Sequence, residues 1–174
     1  ALLSKGKTVD MLVMSATPIP RTLSLIFYGD LDVSTIAEKP LNREKIKTSI
    51  VECSKYEKML NFINEQVKNG RQAYFVCPKI EGDDDGAILS VKELHEELNN
   101  FYPEFKIGLL HGKLKDSQKT QVMTDFKEGK YHILVSTTVI EVGVDVPNAT
   151  IMVINNAERF GLSQLHQLRG RVGR

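Results

Sequence analysis

The segment richest in chemistry is Gln167 to Arg174, which reads Gln-Leu-Arg-Gly-Arg-Val-Gly-Arg. Three arginines and two glycines fall within six residues there. Guanidinium groups are rigid planar forks that suit two-pronged binding of phosphate oxygens. Glycines let the backbone turn tightly or approach a ligand closely. The segment is therefore interpreted as a phosphate-binding element, and the alternative is a basic surface loop at a domain edge.

A second segment, Ser136 to Pro147, directly follows a predicted strand. It contains hydroxyl groups, a glycine and two carboxylates. Hydroxyls and backbone N–H groups at the end of a strand can hold a nucleic-acid phosphate. The pattern therefore favours a ligand-binding loop, and the alternative is a plain connection between two strands.

Two other strand ends carry weaker signals. His111-Gly112 ends a predicted strand and is followed by three lysines, Lys113, Lys115 and Lys119. By itself this pattern is equally typical of a simple turn beside a solvated lysine face. Ser15 to Pro18 also follows a predicted strand and is unspecific when taken alone.

Three patterns that could indicate a nucleotide or metal site fail on closer inspection. Ala1 to Thr8 fits a relaxed phosphate loop, but such a loop needs a strand before it and a helix after it. Here the predicted strand comes afterwards, so we interpret the segment as a helix end and a short loop. Asp83 to Asp85 lack the spacing of a calcium loop and are interpreted as a solvated acidic loop. His95 and His132 have no partner at metal-ligand spacing, so no metal site is predicted.

These segments need elements that position them, and apolar runs alternate with amphipathic runs along the whole chain. This alternation indicates a parallel sheet covered by helices on both faces, with ligands beyond the carboxyl ends of the strands. The predicted strands are 11–14, 46–51, 72–77, 106–110, 132–136 and 150–154, and the predicted helix faces are 56–67, 87–98, 122–126 and 162–168. Gly70 and Gly129 are placed to end two of these helices, and Glu81 to Gly86 is predicted to be a polar loop.

Length and composition exclude several classes of protein. The 174 residues, 41% of them hydrophobic and 26% charged, are typical of a globular domain with a real core. The net charge of +1 means that any nucleic-acid site must be a local patch. Cys53 and Cys77 are interpreted as reduced, partly buried thiols. No apolar run approaches the roughly 18 residues that a membrane helix needs, and no signal peptide is evident, so we expect a cytoplasmic protein with no membrane partner.

The chain is predicted to contain parts of two domains. The alternating pattern loosens between Asp30 and Lys45, where Pro40, Asn42 and several charges interrupt it. We interpret residues 1–45 as the tail of a first domain with a linker, and residues 46–174 as a second domain. We expect both ends to have been cut from a longer protein, with the second domain truncated before its last strand.

Taken in order, these segments resemble the later motifs of the superfamily 2 DNA helicases. Ser15-Ala16-Thr17 resembles motif III, and the strand ending at Cys77 resembles the motif IV region. Thr137 to Asp145 resembles motif V, and Gln167 to Arg174 resembles motif VI. Motif VI is highly specific, and motifs V and VI at this spacing are close to diagnostic.

Within the superfamily, longer stretches resemble the RecG family, and the resemblance covers essentially the whole chain. These stretches are 15–22, 28–33, 109–112, 135–149 and 158–169. The transcription–repair coupling factors share much of the pattern and are the nearest alternative. Residues 28–33 and 146–149 favour the RecG family.

The resemblance implies an α/β fold of the RecA-like type, with helices on both faces of a parallel sheet. It also implies an ATP-dependent DNA helicase or translocase that remodels forks and Holliday junctions in recombination and repair. In the complete enzyme, ATP and Mg²⁺ would lie between two RecA-like domains. Partners would be branched DNA and the upstream motor and wedge domains of the same protein.

The resemblance also implies four groups of functional residues. Those acting in trans on the phosphates of ATP would be Gln167, Arg171 and Arg174. Those beside the nucleotide would be Gly143, Asp145 and Gly170. Those touching the DNA backbone would be Thr137, Thr138, His111 and Gly112. Those coupling nucleotide state to DNA binding would be Ser15 and Thr17.

The family's phosphate loop and Asp-Glu magnesium motif are not present in this sequence. Phosphoryl transfer requires both, so we expect the 174-residue chain alone to bind no cofactor tightly and to hydrolyse no ATP. Two other classes of function stay open at this point. One is a non-enzymatic nucleic-acid-binding module, and the other is a self-contained phosphate-loop NTPase that uses Gly6-Lys7-Thr8.

Overall fold

A computed structural model describes residues 34, 45–78, 84–137 and 145–173. The chain divides into two compact units, Ala1–Glu38 and Lys39–Arg174. All the described helices and strands belong to the second unit. The predicted strand at 11–14 lies outside the described residues, and the predicted domain boundary after residue 45 stays a prediction.

Four parallel strands form a sheet in the order β2-β3-β1-β4. The strands are β1 (Gln72–Val76), β2 (Ile107–Leu110), β3 (Ile133–Ser136) and β4 (Ala149–Ile154). β1 lies between β3 and β4, and every one of its residues is buried. The observed pairings are all parallel, so the predicted parallel sheet is confirmed. The near-continuous apolar sequences of the strands are typical of strands that are buried on both faces.

Four helices cover the sheet, two on each face. They are α1 (Tyr56–Lys68), α2 (Asp84–Phe101), α3 (Asp116–Lys127) and α4 (Leu162–Arg169). Short 3-10 turns, Cys53–Lys55 and Ala157–Arg159, precede α1 and α4. Within the described ranges, no helix combines the length and apolar character needed to cross a membrane.

The alternation of side chains along the strands divides the core into two layers. One layer contains Ala73, Phe75, Ile133 and Val135 of the strands, packed against α1 and α2. The other contains Tyr74, Val76, Leu110 and Leu134, packed against α3 and α4. Successive residues of a strand point to opposite faces, so each strand contributes to both layers and ties them together.

Glycines end two of the helices, as predicted. Gly70 follows α1 with a φ of 84°, and Gly129 follows α3 with a φ of 76°. Their backbone N–H groups donate to Val67 O at 2.9 Å and to Phe126 O at 3.1 Å. Residues with a side chain adopt this left-handed conformation only at a cost, so the glycines fix where the chain turns back towards the sheet.

Two of the predictions for individual elements are wrong. Residues 46–51 form no strand: Ile50 is 98% exposed and Val51 is 43% exposed, although Ile46 packs against the α3/α4 core. β-branched residues favour a strand where they pack on a half-buried pleated surface. Residues 46–51 do not lie on such a surface. The predicted loop at 81–86 is also too long, because α2 already begins at Asp84. Carboxylates stabilise the first turn of a helix through its dipole.

A buried glutamine joins β1 to the end of α3. The Nε2 of Gln72 donates to Phe126 O at 2.6 Å and to Tyr131 O at 2.8 Å. Gln72 is only 4% exposed. A buried carbonyl group that loses its donor costs about 1–3 kcal/mol, so this amide stabilises the connection between α3 and β3.

Replacing this amide with an apolar group of similar size should destabilise the domain. We expect Gln72→Leu to lower the free energy of unfolding by about 1–2 kcal/mol, because Phe126 O loses its donor in a buried site. Urea denaturation followed by circular dichroism measures this change. Gln121→Leu, on the exposed side of α3, is the control and should change stability by less than about 0.5 kcal/mol. Equal unfolding midpoints for the two variants would contradict this account of Gln72.

The two cysteines should differ sharply in reactivity. Cys53 is exposed and Cys77 is buried, and burial raises the pKa of Cys77 to about 11 by disfavouring the thiolate. At pH 8 only about 0.1% of such a thiol is ionised, and the thiolate is the reactive form. Labelling with an aromatic disulfide reagent should therefore show one fast thiol in the native chain and two in urea. Cys53→Ser should remove the fast phase, and a fast phase that survives this change would disprove the assignment.

Candidate nucleic-acid and nucleotide interface

The carboxyl ends of β2 and β3 bring two of the predicted DNA-contact residues together. Leu110 and Ser136 are paired as the last residues of their strands, so His111 and Thr137 follow at neighbouring positions. The N–H of Thr137 donates to Leu110 O at 3.2 Å. Thr137 is 4% exposed, whereas His111 is half-buried. Ligands bind at this edge of parallel sheets, so the pair lies where a ligand is expected.

The His111 ring lies in a positively charged environment. Burial lowers its pKa, and the nearby charges of Lys92, Lys113 and Lys119 lower it further. The imidazole is therefore neutral at neutral pH. Its Nδ1 is buried and has no hydrogen-bond partner in the described part of the chain. A lysine-rich edge of this kind favours an anionic ligand.

Gly112 leaves the space beside this edge open. It is exposed, and a Cβ added to it would meet no atom within 4 Å. Packing therefore gives no reason for a glycine here. A bare backbone beside an open space is consistent with close approach of a ligand.

The predicted motif VI segment is held by α4 and by the turn that follows it. The N–H of Gly170 donates to His166 O at 3.1 Å, and the N–H of Arg171 donates to Leu168 O at 2.9 Å. Leu168 and Val172 are buried in the α3/α4 core. Arg171 is therefore half-buried on a rigid turn between two anchored residues.

Other residues of motif VI behave differently. Gln167 and Arg169 are exposed on α4. Gly173 has a φ of 70°, a conformation that favours glycine. Arg174 lies outside the described residues.

Only part of the predicted motif V segment is described. Asp145 is exposed, and the next residue, Val146, packs in the same core as Leu168 and Val172. Val146 of the motif V end and Leu168 and Val172 of motif VI are therefore buried in one layer. Residues from other predicted groups lie outside the described residues, namely Ser15, Thr17, Thr138 and Gly143.

The structure assigns the two groups of site residues to different layers. Val135, two residues before Thr137, packs in the α1/α2 core, and so does Leu109, two residues before His111. The anchors of motif VI pack in the α3/α4 core. Val135 and Leu109 are thus supported from one face of the sheet, and Leu168 and Val172 pack against the other.

Sequence reasoning missed two residues near His111. Lys92 lies on α2 and influences His111, although 18 residues separate them in the sequence. Asp85, at the start of α2, forms an ion pair with Lys113. A signal was present, since Lys92 directly follows the buried Val91 and so borders the buried stripe of α2. The helical spacing of α2 did not reveal which strand end Lys92 would approach.

Comparisons with known proteins identify the family and the fold of this chain. A family model described as the helicase conserved C-terminal domain matches residues 54–174. The ATP-dependent DNA helicase RecG of Thermotoga maritima is 55% identical over 175 residues, which is 100% of this chain and 22% of that protein. A structure of RecG bound to a three-way DNA junction matches with a TM-score of 0.78 and 52% identity, over 98% of this chain and 22% of that one.

A more distant likeness supports the fold alone. Domain 2 of the DEAD-box helicase Mss116p, bound to an RNA duplex, matches with a TM-score of 0.53 and 23% identity, over 67% of this chain and 44% of that one. The RecA-like fold predicted from the resemblance is therefore confirmed.

The chain spans about a fifth to a quarter of the length of the curated relatives it matches, at 22%, 21% and 26% of the first three. Their identity over the whole chain confirms the predicted resemblance to RecG within the superfamily 2 helicases. On the match over residues 54–174, the chain belongs to the helicase conserved C-terminal domain family.

Proposed function

We propose that this chain is part of an ATP-dependent DNA helicase of the RecG type and contains the end of its first motor domain and its second motor domain. One observation carries the proposal: Arg171 is held on a rigid turn by Leu168 and Val172, inside a motif that suits phosphate. The 55% identity to a RecG over the full chain supports the same conclusion. In this proposal residues 1–45 end the first motor domain, and residues 46–174 form the second.

The substrate ATP would bind between the two motor domains. Negative charge spreads over the γ-phosphoryl group as it is transferred, and a guanidinium group that reaches across the cleft stabilises that charge. We assign this role to Arg171 and Arg174, with Gln167 beside them and Gly143, Asp145 and Gly170 lining the cleft. Arg171 needs a fixed position for this role, and the buried residues on either side of it supply one.

The magnesium ion that accompanies ATP would be held outside this chain. In the part that the structure describes, no three His, Cys, Asp or Glu side chains lie close enough to hold a metal ion. We assign its ligands, like the phosphate loop, to the upstream motor domain.

The polymer substrate proposed here is branched DNA, including forks and Holliday junctions. A solved RecG is bound to a three-way DNA junction, which supports this choice. Thr137, Thr138, His111 and Gly112 would contact the DNA backbone, together with the upstream motor and wedge domains. Recombination and repair in the cytoplasm are the processes proposed for the enzyme.

Coupling between the two sites would follow from the rigid sheet that they share. The proposed DNA contacts His111 and Thr137 follow β2 and β3, and motif VI is anchored in the α3/α4 core of the same sheet. Closure of the domains around ATP would move both sites as one body. Ser15 and Thr17 would transmit the nucleotide state from the first motor domain.

The sharpest test replaces the arginines of motif VI in the full-length protein. Arg171→Ala and Arg174→Ala should each lower DNA-stimulated ATP hydrolysis by about a thousandfold, because the transition state loses its guanidinium group. ATP affinity should change far less. Arg174→Lys should restore little, since an ammonium group cannot reproduce the two-pronged geometry. The measurement is steady-state ATPase kinetics on saturating fork DNA, with nucleotide binding followed separately.

The exposed Arg169 provides the matched control for this experiment. Arg169→Ala should do less damage, because the family pattern does not fix that position as a phosphate contact. Near-normal turnover by both alanine variants would show that motif VI is only a basic loop, and the proposed function would then be wrong.

A separate prediction concerns the 174-residue chain by itself. We expect no ATP turnover with or without DNA, because phosphoryl transfer needs a phosphate loop and a metal ion. The assay is phosphate release against a blank without protein. Turnover that Lys7→Ala abolishes would instead favour a self-contained NTPase.

A further inference from the structure

Three lysines converge on the end of β2 from three different parts of the chain. Lys113 lies two residues beyond His111, Lys92 lies on α2, and Lys119 lies in the first turn of α3. Both helices contact β2 directly. The charges of all three lysines act on His111. Their convergence is a property of the fold, since Lys92 and Lys119 are 27 residues apart in the sequence.

Two of these lysines are held in place by exposed carboxylates. Lys113 pairs with Asp85, whose side chain is 87% exposed. Lys119 pairs with Asp116 at 3.1 Å; the Asp116 side chain is 98% exposed, whereas that of Lys119 is only 19% exposed. Surface ion pairs of this kind contribute little to stability. Both carboxylates can therefore be exchanged for another anion at small cost.

The surroundings indicate which anion fits. Gly112 leaves the space beside His111 open, and a bare backbone is consistent with close approach of a ligand. Lysine ammonium groups are point charges that neutralise phosphates and carry no base-reading geometry. The three lysines come from α2, from the turn after β2 and from α3, and the backbone phosphates of a DNA strand are the anions that the proposed substrate supplies.

We propose that Lys92, Lys113 and Lys119 form a binding site for DNA backbone phosphates around His111, with Asp85 as an internal competitor for Lys113. This inference rests on the proposed DNA substrate and adds residues to that site. Asp85 holds Lys113 while no DNA is bound, and a phosphate displaces the carboxylate when DNA binds. Affinity at this edge is thereby set partly by a residue that never touches DNA.

The test is the salt dependence of DNA binding by the full-length protein. Fluorescence anisotropy with a labelled fork gives the dissociation constant over a series of KCl concentrations. Each lost phosphate contact should lower the slope of log affinity against log salt by about one unit. We expect that change for Lys92→Ala and for Lys119→Ala. Lys127→Ala, at the far end of α3, is the matched control and should keep the wild-type slope.

Removal of the carboxylate of Asp85, the competitor, should raise the affinity for DNA, whereas removal of a lysine should lower it. Asp85→Asn should tighten DNA binding about two- to fivefold at low salt, in line with the strength of an exposed ion pair. The DNA titrations are repeated with added inorganic phosphate at constant ionic strength. This control distinguishes a site for the backbone of a DNA strand from a site for free phosphate. Inorganic phosphate in the millimolar range should leave fork binding unchanged.

The outcomes separate this inference from the proposed function. Wild-type slopes for both Lys92→Ala and Lys119→Ala would overturn the inference, even if Arg171→Ala abolishes hydrolysis. Unchanged or weaker DNA binding by Asp85→Asn would overturn the role of Asp85. Competition by millimolar phosphate would show that the lysines bind a free anion and not the backbone of a DNA strand. The lysine variants should need more DNA to reach half-maximal hydrolysis, whereas the arginine variants should hydrolyse ATP slowly at every DNA concentration.

Discussion

The parallel pairing of β1 with β3 on one side and β4 on the other is the constraint on which the rest of the domain depends. A parallel strand in the middle of a sheet must be covered on both faces, and every residue of β1 is buried. Parallel strands also end at the same edge, so His111 and Thr137, which follow β2 and β3, lie at neighbouring positions. The layers of helices and the candidate DNA edge are both consequences of this one pairing pattern.

The sequence was most informative where a local rule was sufficient. Helix periodicity identified α1, and Gly70 and Gly129 marked two helix ends, because a positive φ is a property of one residue. The prediction failed for Ile46 to Val51, since β-branched residues form a strand only when a neighbouring strand and a covering layer are available. Lys92 could not be assigned to the His111 edge, because that proximity depends on how α2 packs against β2.

The two faces of the sheet support different segments of the chain. Val135 and Leu109 pack against α1 and α2, whereas Leu168 and Val172 pack with α3 and α4. Protein interiors are close-packed and transmit displacement instead of absorbing it. The strand ends and the turn after α4 are therefore fixed to one sheet by two separate core layers.

The amide of Gln72 has a consequence for the order in which the domain assembles. Its two hydrogen bonds join residues that are 54 and 59 positions apart. The loop between them closes only after the intervening helices and strands have formed, because closing a long chain segment earlier costs entropy without any compensating contact. We therefore expect the contact to be absent when the rate-limiting barrier is crossed. Interactions of that kind slow unfolding and leave the folding rate almost unchanged, so we expect Gln72 to lengthen the lifetime of the native domain without changing the speed with which it forms.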